Sequence, residues 1–397
     1  MRLEKVKLLF LCAALTCSCV MSACGAKTAE DTTEESAAME STEEGAIAPL
    51  ADGGSTAESE SMTESEEVSM EQVETDYVTA GMEAIEAQDY TSAQSYFKQA
   101  LIAGEDERLI LRGQGIAYLG AADYESAIAA FEKCLQVSSM LIDDLDIDVN
   151  YYLATAYDKA GNPAEAEAIY TAILQVRSND IDSKYMRGMV RLEQGLFDTA
   201  KADFDEVLAK ESTNYDLLLT IFQALQNYGY QSAGEEYLSA ALSAGEESIS
   251  AYDRGRLYYY LGEYEQARNA LLEVTGNDNP DVTFYLGKSW EALGEYNYAA
   301  SVYQTYLKSG ESDARIYNEL ALCMIRLEDY DSALSAVESG LALEDTSMRQ
   351  SLLFNQFVIY EYRGDFATAK DLVQEYLTSY PDDTAAQREA IFLSSRS

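Results

Sequence analysis

A motif returns along this chain at an interval close to 34 residues. Residues 260–267 read YLGEYEQA and residues 292–299 read ALGEYNYA. Following the alanine that trails each ring-bearing residue by three positions gives Ala93, Ala127, Ala166, Ala200, Ala233, Ala267, Ala299, Ala333 and Ala369, with successive gaps of 34, 39, 34, 33, 34, 32, 34 and 36. Three positions before them stand Tyr90, Tyr124, Pro163, Phe197, Tyr230, Tyr264, Tyr296, Tyr330 and Phe366. Eight are aromatic, and the ninth, a proline, suits the first turn of a helix. Twelve positions before the alanines a small residue recurs at Gly81, Gly115, Ala154, Gly188, Gly255, Gly287 and Ala321. Four positions after them comes a bulky one, at Phe97, Phe131, Tyr170, Phe204, Tyr237, Leu271 and Tyr303.

Small, aromatic, alanine and bulky residues in this order and period resemble the tetratricopeptide repeat. The resemblance covers residues 76–380 and implies an all-α, right-handed α-solenoid of about nine helix-turn-helix repeats. Each unit is two helices joined by a short turn, with Gly161, Gly195, Gly262, Gly294 and Gly364 at turn positions. Small residues let the paired backbones approach, and large ones fill the groove beside them. One pair cannot bury its apolar stripe alone, so pairs stack. The two Gly-Glu-Tyr copies are therefore turns between paired helices. Ile221 in the fifth unit and Phe357 in the ninth stand where a small residue belongs, and helix pairs are expected to splay or shift there. The family tryptophan of the first helix is absent throughout. Residues 381–397 begin with Pro381 and read as a capping helix and tail over the last apolar face.

The amino terminus carries a different signal. Arg2, Lys5 and Lys7 precede a mostly apolar run over residues 8–21, the length of a secretory h-region rather than of a bilayer span. Met21-Ser22-Ala23-Cys24 resembles the bacterial lipobox, which implies a signal peptide over 1–23 and lipid on Cys24. An ordinary signal peptide is the alternative. Several acyl chains, at about 0.8 kcal/mol per buried CH₂, would hold such a protein at a membrane. Residues 25–75 contain 15 acidic residues and one basic residue, Lys27, so 24–75 is expected to be a lipidated cysteine followed by a disordered acidic tether. Of the six cysteines only Cys134 and Cys323 fall in the repeats, inside apolar helical patterns, and are expected to be buried thiols.

Composition narrows the function. Lys and Arg number 27 against 70 Asp and Glu, a formal charge of −43, which repels phosphate backbones and argues against nucleic acid. The chain has no histidine, which removes the commonest general base and metal ligand. No phosphate loop, thiol pair or zinc spacing is present, so no catalytic residue, metal or cofactor is expected. Asp144, Asp146, Asp148 and Asn150 mimic the start of a calcium loop, but Val149 stands where Gly is needed and Thr155 where Glu is needed. This run reads instead as a solvated acidic loop within the longest gap.

In the resembled family the first helix of each unit lines a concave surface. Counting from the small residue, its exposed positions are expected to include Tyr151, Tyr185, Tyr252, Arg256, Tyr259, Phe284, Lys288, Asn318, Arg326 and Phe354. These form either a groove for an extended peptide or helix, anchored on aromatics, or a set of bridges between adjacent units. The Lys, Arg and Asn cluster with which some relatives hold a carboxylate terminus is absent, since Val78, Met82, Arg112 and Ile116 occupy its places. The expected protein is a monomeric, lipid-anchored, extracytoplasmic scaffold that binds proteins or peptides, in envelope assembly or secretion. A surface lipoprotein that captures glycans or nutrients is the alternative.

Overall fold

A computed structural model of the chain describes residues 76–138, 142–275 and 279–396. The expected signal peptide, Cys24 and acidic tether lie outside the described residues. Among those residues there are nineteen α-helices, one short 3₁₀ turn (Glu246–Ser248) and no strand.

The helices come in pairs, first helix then second: α1 (Tyr77–Glu86) and α2 (Tyr90–Ala103); α3 (Glu107–Gly120) and α4 (Tyr124–Val137); α5 (Asp144–Lys159) and α6 (Pro163–Val176); α7 (Ile181–Glu193) and α8 (Phe197–Lys210); α9 (Tyr215–Asn227) and α10 (Gln231–Gly245). They continue with α11 (Ala251–Tyr260) and α12 (Tyr264–Leu272); α13 (Pro280–Ala292) and α14 (Tyr296–Lys308); α15 (Ala314–Arg326) and α16 (Tyr330–Leu341); α17 (Arg349–Tyr362) and α18 (Phe366–Ser379); then α19 (Thr384–Ser394). The chain divides into two compact units at Asp106 and Glu107. In the first, Glu105 accepts hydrogen bonds at 2.9 Å from the backbone of Tyr77 and Val78, satisfying free donors at the start of α1. In the second, the two helices of each pair pack together, and the first helices also touch along the series, α11 on α13, α13 on α15 and α15 on α17.

Within a pair, the small residue seats the bulky one. A Cβ placed on Gly81, Gly115 or Gly188 would lie 2.6, 2.4 or 2.6 Å from the ring of Phe97, Phe131 or Phe204. No side chain fits between such a ring and the backbone, so glycine sets how closely the helices approach. Eight of the nine repeat alanines have no solvent exposure. The two Gly-Glu-Tyr copies are turns as expected, with Gly262 and Gly294 at φ +76° and +80°, where a Cβ is strained.

The fifth pair departs by one residue. Ala233 is only half-buried; Gly234 and Leu238 take the interior positions instead of Ala233 and Tyr237. The cause is Phe222 on α9, whose ring fills the gap from the other side. A Cβ on Gly234 would lie 2.8 Å from Phe222 Cδ2. The bulky and the bare positions have changed helices. In the ninth pair Phe357 is likewise fully buried, against Ala369, Val373 and Tyr376, and the smaller Val373 makes room. Ala386, Ala390 and Leu393 of α19 cover this cluster, as a terminal helix should.

The run from Asp143 to Asn150 is not a loop. Asp143 is the N-cap of α5, and its carboxylate and that of Asp146 bond reciprocally across the first turn. Asp146 is buried against Arg108 at 2.7 Å, and Asp148 meets Arg112 at 2.5 Å. The additional residues of the long gap therefore precede Asp143. Cys134 and Cys323 are buried and unbridged.

One feature makes stability depend on pH. Partial desolvation, then the Asp158 carboxylate, raise the carboxyl of the otherwise exposed Glu193 from the ordinary 4.5 to about 7, with Lys159 acting in the opposite sense. Between these values the folded chain holds a proton that the unfolded chain has released, so stability falls as pH rises through that window. Glu193→Gln is expected to flatten this slope, measured as the difference in melting temperature between about pH 5 and about pH 7.

Candidate partner-binding face

The richest aromatic surface is built by α9, α11 and α13. Ser250 caps α11 by accepting from Asp253 N at 3.0 Å, and Asn279 caps α13, with Pro280 in its first turn. These caps set the register that brings Tyr252, Tyr259 and Tyr260 of α11 beside Phe284 and Tyr285 of α13. Tyr285 is the hub: its ring centroid lies 6.5 Å from that of Tyr252, 5.4 Å from Tyr259, 6.0 Å from Tyr260 and 5.4 Å from Phe284, all edge-to-face. Phe222 of α9 backs Tyr260 at 5.5 Å. All five rings are half-buried, so each offers part of its surface to solvent. Gln223 donates to the Tyr260 hydroxyl at 2.7 Å, and the Tyr260 and Tyr285 hydroxyls are 3.2 Å apart. Two phenolic protons share one hydroxyl-to-hydroxyl bond, leaving one of them available to an outside acceptor.

Three cations punctuate this face, and each is held between two carboxylates. Arg256 binds Asp216 at 2.7 Å and also Asp253. Lys288 binds Glu291 at 3.1 Å and Glu319 at 2.9 Å. Arg315 binds Asp281 and Asp313, each at 2.8 Å. Burial opposes the charge on Arg256 and Lys288, but the paired carboxylates outweigh it and hold both groups above their ordinary range. Burial also raises the Tyr252 phenol to about 12. At physiological pH the face therefore carries fixed cations and neutral phenols. Arg256 lies 4.4 Å over the Tyr252 ring and Arg315 5.7 Å over Phe284.

Tyr252, Arg256, Tyr259, Phe284 and Lys288 thus fall together, and Asn318 joins their edge through Glu319, to which it donates at 3.2 Å. The other expected positions stand apart. Tyr151 ties α5 to the next pair by bonding Asp180 and Ser183, each at 2.7 Å. Tyr185 packs on Phe204, and Phe354 packs on Phe357 and Tyr376. Arg326 is exposed at the end of α15. The expectation that all ten are exposed is corrected: Tyr185, Arg256 and Asn318 are buried, at 9, 8 and 4% exposure. The cover comes from other helices, Phe204 of the same pair for Tyr185, and Asp216 and Asn355 of neighbouring pairs for Arg256 and Asn318, which one helix's periodicity does not encode. Tyr260, Tyr285 and Arg315 are members of the face that the repeat register overlooked. The signal for the two tyrosines was the adjacent aromatics, Tyr258-Tyr259-Tyr260 and Phe284-Tyr285, since successive rings on a helix cannot all face one seam. Among the described residues no group of three or more Cys, Asp or Glu is placed to hold a metal ion, and no helix is long and apolar enough to cross a membrane.

Profiles of the tetratricopeptide repeat match residues 78–136, 118–188, 252–314 and 291–345, together just over half of the chain. The chain belongs to the tetratricopeptide-repeat family. It is an all-α repeat scaffold for protein–protein interaction. It is also similar to lipopolysaccharide assembly protein B of Escherichia coli strain K12, with 23% identity over 223 residues, covering 51% of this chain and 55% of that protein. The chain thus spans about half the length of the curated relatives it matches. Among solved structures, a tetratricopeptide repeat protein from Parabacteroides merdae has 14% identity, covers 63% of this chain and 98% of that one, and has a TM-score of 0.41. YrrB, a tetratricopeptide repeat protein described as having an unusual peptide-binding site, has 19% identity, covers 43% and 86%, and has a TM-score of 0.34.

Proposed function

We propose that this chain is a lipid-anchored, extracytoplasmic repeat scaffold that binds a protein segment on the face of α9, α11 and α13. The observation that carries the reading is the cluster of five half-buried rings formed by Tyr285 and its four neighbours. Partly wetted aromatics on rigid helices supply large contact area at little entropic cost, the chemistry of interface anchors. The spare phenolic proton adds a directional contact for a peptide carbonyl. The scaffold acts by binding rather than catalysis and works as a monomer. Its anchor is lipid on Cys24, a reading supported by the sequence around that cysteine. Its role is envelope assembly, supported by the partial similarity to a lipopolysaccharide assembly protein.

The test uses the full chain in cells, with a photo-crosslinking residue at Tyr259 or, as an off-face control, at exposed Tyr362. Protein adducts at Tyr259, absent at Tyr362 and lost in a Tyr285→Ala background, are expected. A purified chain that retains glycans from a panel but yields no protein adduct overturns the reading in favour of glycan capture. Metabolic labelling with an alkyne fatty acid is expected to mark the wild type and not Cys24→Ser; equal labelling of both removes the proposed anchor.

A further inference from the structure

The three clamped cations on this face have a second consequence, which concerns what kind of segment it accepts. Each cation faces two carboxylates, so each clamp retains an unbalanced negative charge. Four of the six acids are well covered, with side-chain exposures of 22% for Asp253, 15% for Glu291, 10% for Glu319 and 15% for Asp313. Water therefore screens them weakly, and a further cation nearby is favoured more than it would be at an open surface.

The rings point the same way. Their faces are electron-rich, and two of them already hold guanidinium groups belonging to this chain. Tyr259, Tyr260 and Tyr285 meet one another edge-to-face, and no cation of the described residues is placed over them. Acidic occupants are disfavoured by charge. The chain's own segment 25–75, with 15 acids and one base, is repelled, and so is a second copy of a chain with formal charge −43.

We propose that this face of α9, α11 and α13, with the start of α15 at its edge, docks a basic segment of a partner protein, placing Lys or Arg side chains over the tyrosine rings and beside the excess carboxylates. This rests on the protein-binding reading above and specifies the partner's chemistry.

The experiment measures binding of the full chain, purified in detergent, to three fluorescent peptides. They share their apolar positions and differ only in carrying Lys and Arg, Gln, or Glu at the remaining ones. The basic peptide is expected to bind about tenfold or more tighter than the Gln peptide, with an advantage that shrinks as salt rises, and the Glu peptide weakest. The paired variant Asp216→Asn/Asp281→Asn alters the two most exposed clamp acids. It is expected to lower affinity for the basic peptide about tenfold and leave the Gln peptide unchanged, with an unaltered circular dichroism spectrum. Tyr259→Ala is expected to weaken all three peptides. Equal binding of the three peptides at a Tyr259-dependent site overturns the basic-segment inference while the protein-binding reading stands. Basic-peptide binding that ignores both variants is diffuse charge attraction and overturns it too, as does no binding at low salt. If the Tyr285→Ala background keeps every native adduct in cells, the protein-binding reading itself fails.

Discussion

Replacing Asp203 with alanine is expected to cost about 3–5 kcal/mol, the largest effect of any single substitution considered. Asp203 on α8 is 4% exposed and accepts from both Arg187 and Arg191 of α7, at 2.6 and 2.8 Å. Arg191 also binds Glu167 of α6 at 2.7 Å, so one carboxylate helps join two consecutive helix pairs. The guanidiniums are only 16 and 17% exposed. Without Asp203, Arg187 has no carboxylate partner, and Arg191 keeps Glu167 alone. The cost is the desolvation of charge left behind rather than the worth of the pair, so the control also removes the stranded Arg187. Asp203→Leu with Arg187→Met leaves the Arg191–Glu167 pair in place and is expected to recover most of the loss. Urea unfolding followed by far-ultraviolet circular dichroism measures both. A loss under about 1 kcal/mol for the alanine variant would place this network with surface pairs of little consequence. Because a repeat array is held by nearest-neighbour interfaces, the weakened junction should also open as a separate early transition.

The second large effect is expected at Gly287 on α13. A Cβ there would lie 2.1 Å from Tyr303 Cε1 and 2.4 Å from its hydroxyl oxygen. Tyr303 is fully buried and donates to Glu291 at 2.6 Å, so its ring cannot swing aside without breaking that bond. Gly287→Ala is expected to destabilise by roughly 2–3 kcal/mol through overpacking, read as a lower melting temperature. The eighth pair shows how the two positions compensate, since Ala321 and Val337, both fully buried, stand at the corresponding places. Adding Tyr303→Val to Gly287→Ala should therefore restore part of the loss. An unchanged melting temperature in the single variant would mean that the seat is loose. The substitution also reaches function, because α13 carries Phe284, Tyr285 and Lys288, and any movement of that helix displaces half of the aromatic face.

Much of the fold was legible because its decisive contacts are local in sequence. Gly81 meets Phe97 sixteen positions later, and the same separation joins Gly115 to Phe131 and Gly287 to Tyr303. A contact between two helices joined by a short turn leaves its trace within one period, and nine repetitions make that trace plain. Helix starts were equally local: Asp89, Asp123, Asp329 and Asp365 each cap the second helix of their pair within three residues. The fifth pair escaped this logic because Phe222 and Gly234 exchange roles across the pair, and a pattern that expects the small residue first assigns the wrong register. The acidic run at Asp143 was misread for a related reason. Its carboxylates are neutralised by Arg108 and Arg112, some 35 residues earlier, and no local pattern announces that pairing.

The candidate face was legible only in part. The recurring small and aromatic residues were sufficient to specify paired helices, their turns and the first-helix positions Tyr252, Tyr259 and Phe284, because helical geometry assigns residues to faces without reference to anything distant. Which of those positions remain open to solvent is decided by the pair stacked alongside. So is the gathering of Tyr260, Tyr285 and the clamped Arg256 and Lys288 into one charged aromatic surface, since such contacts join residues about a full repeat apart and depend on the relative placement of whole helix pairs.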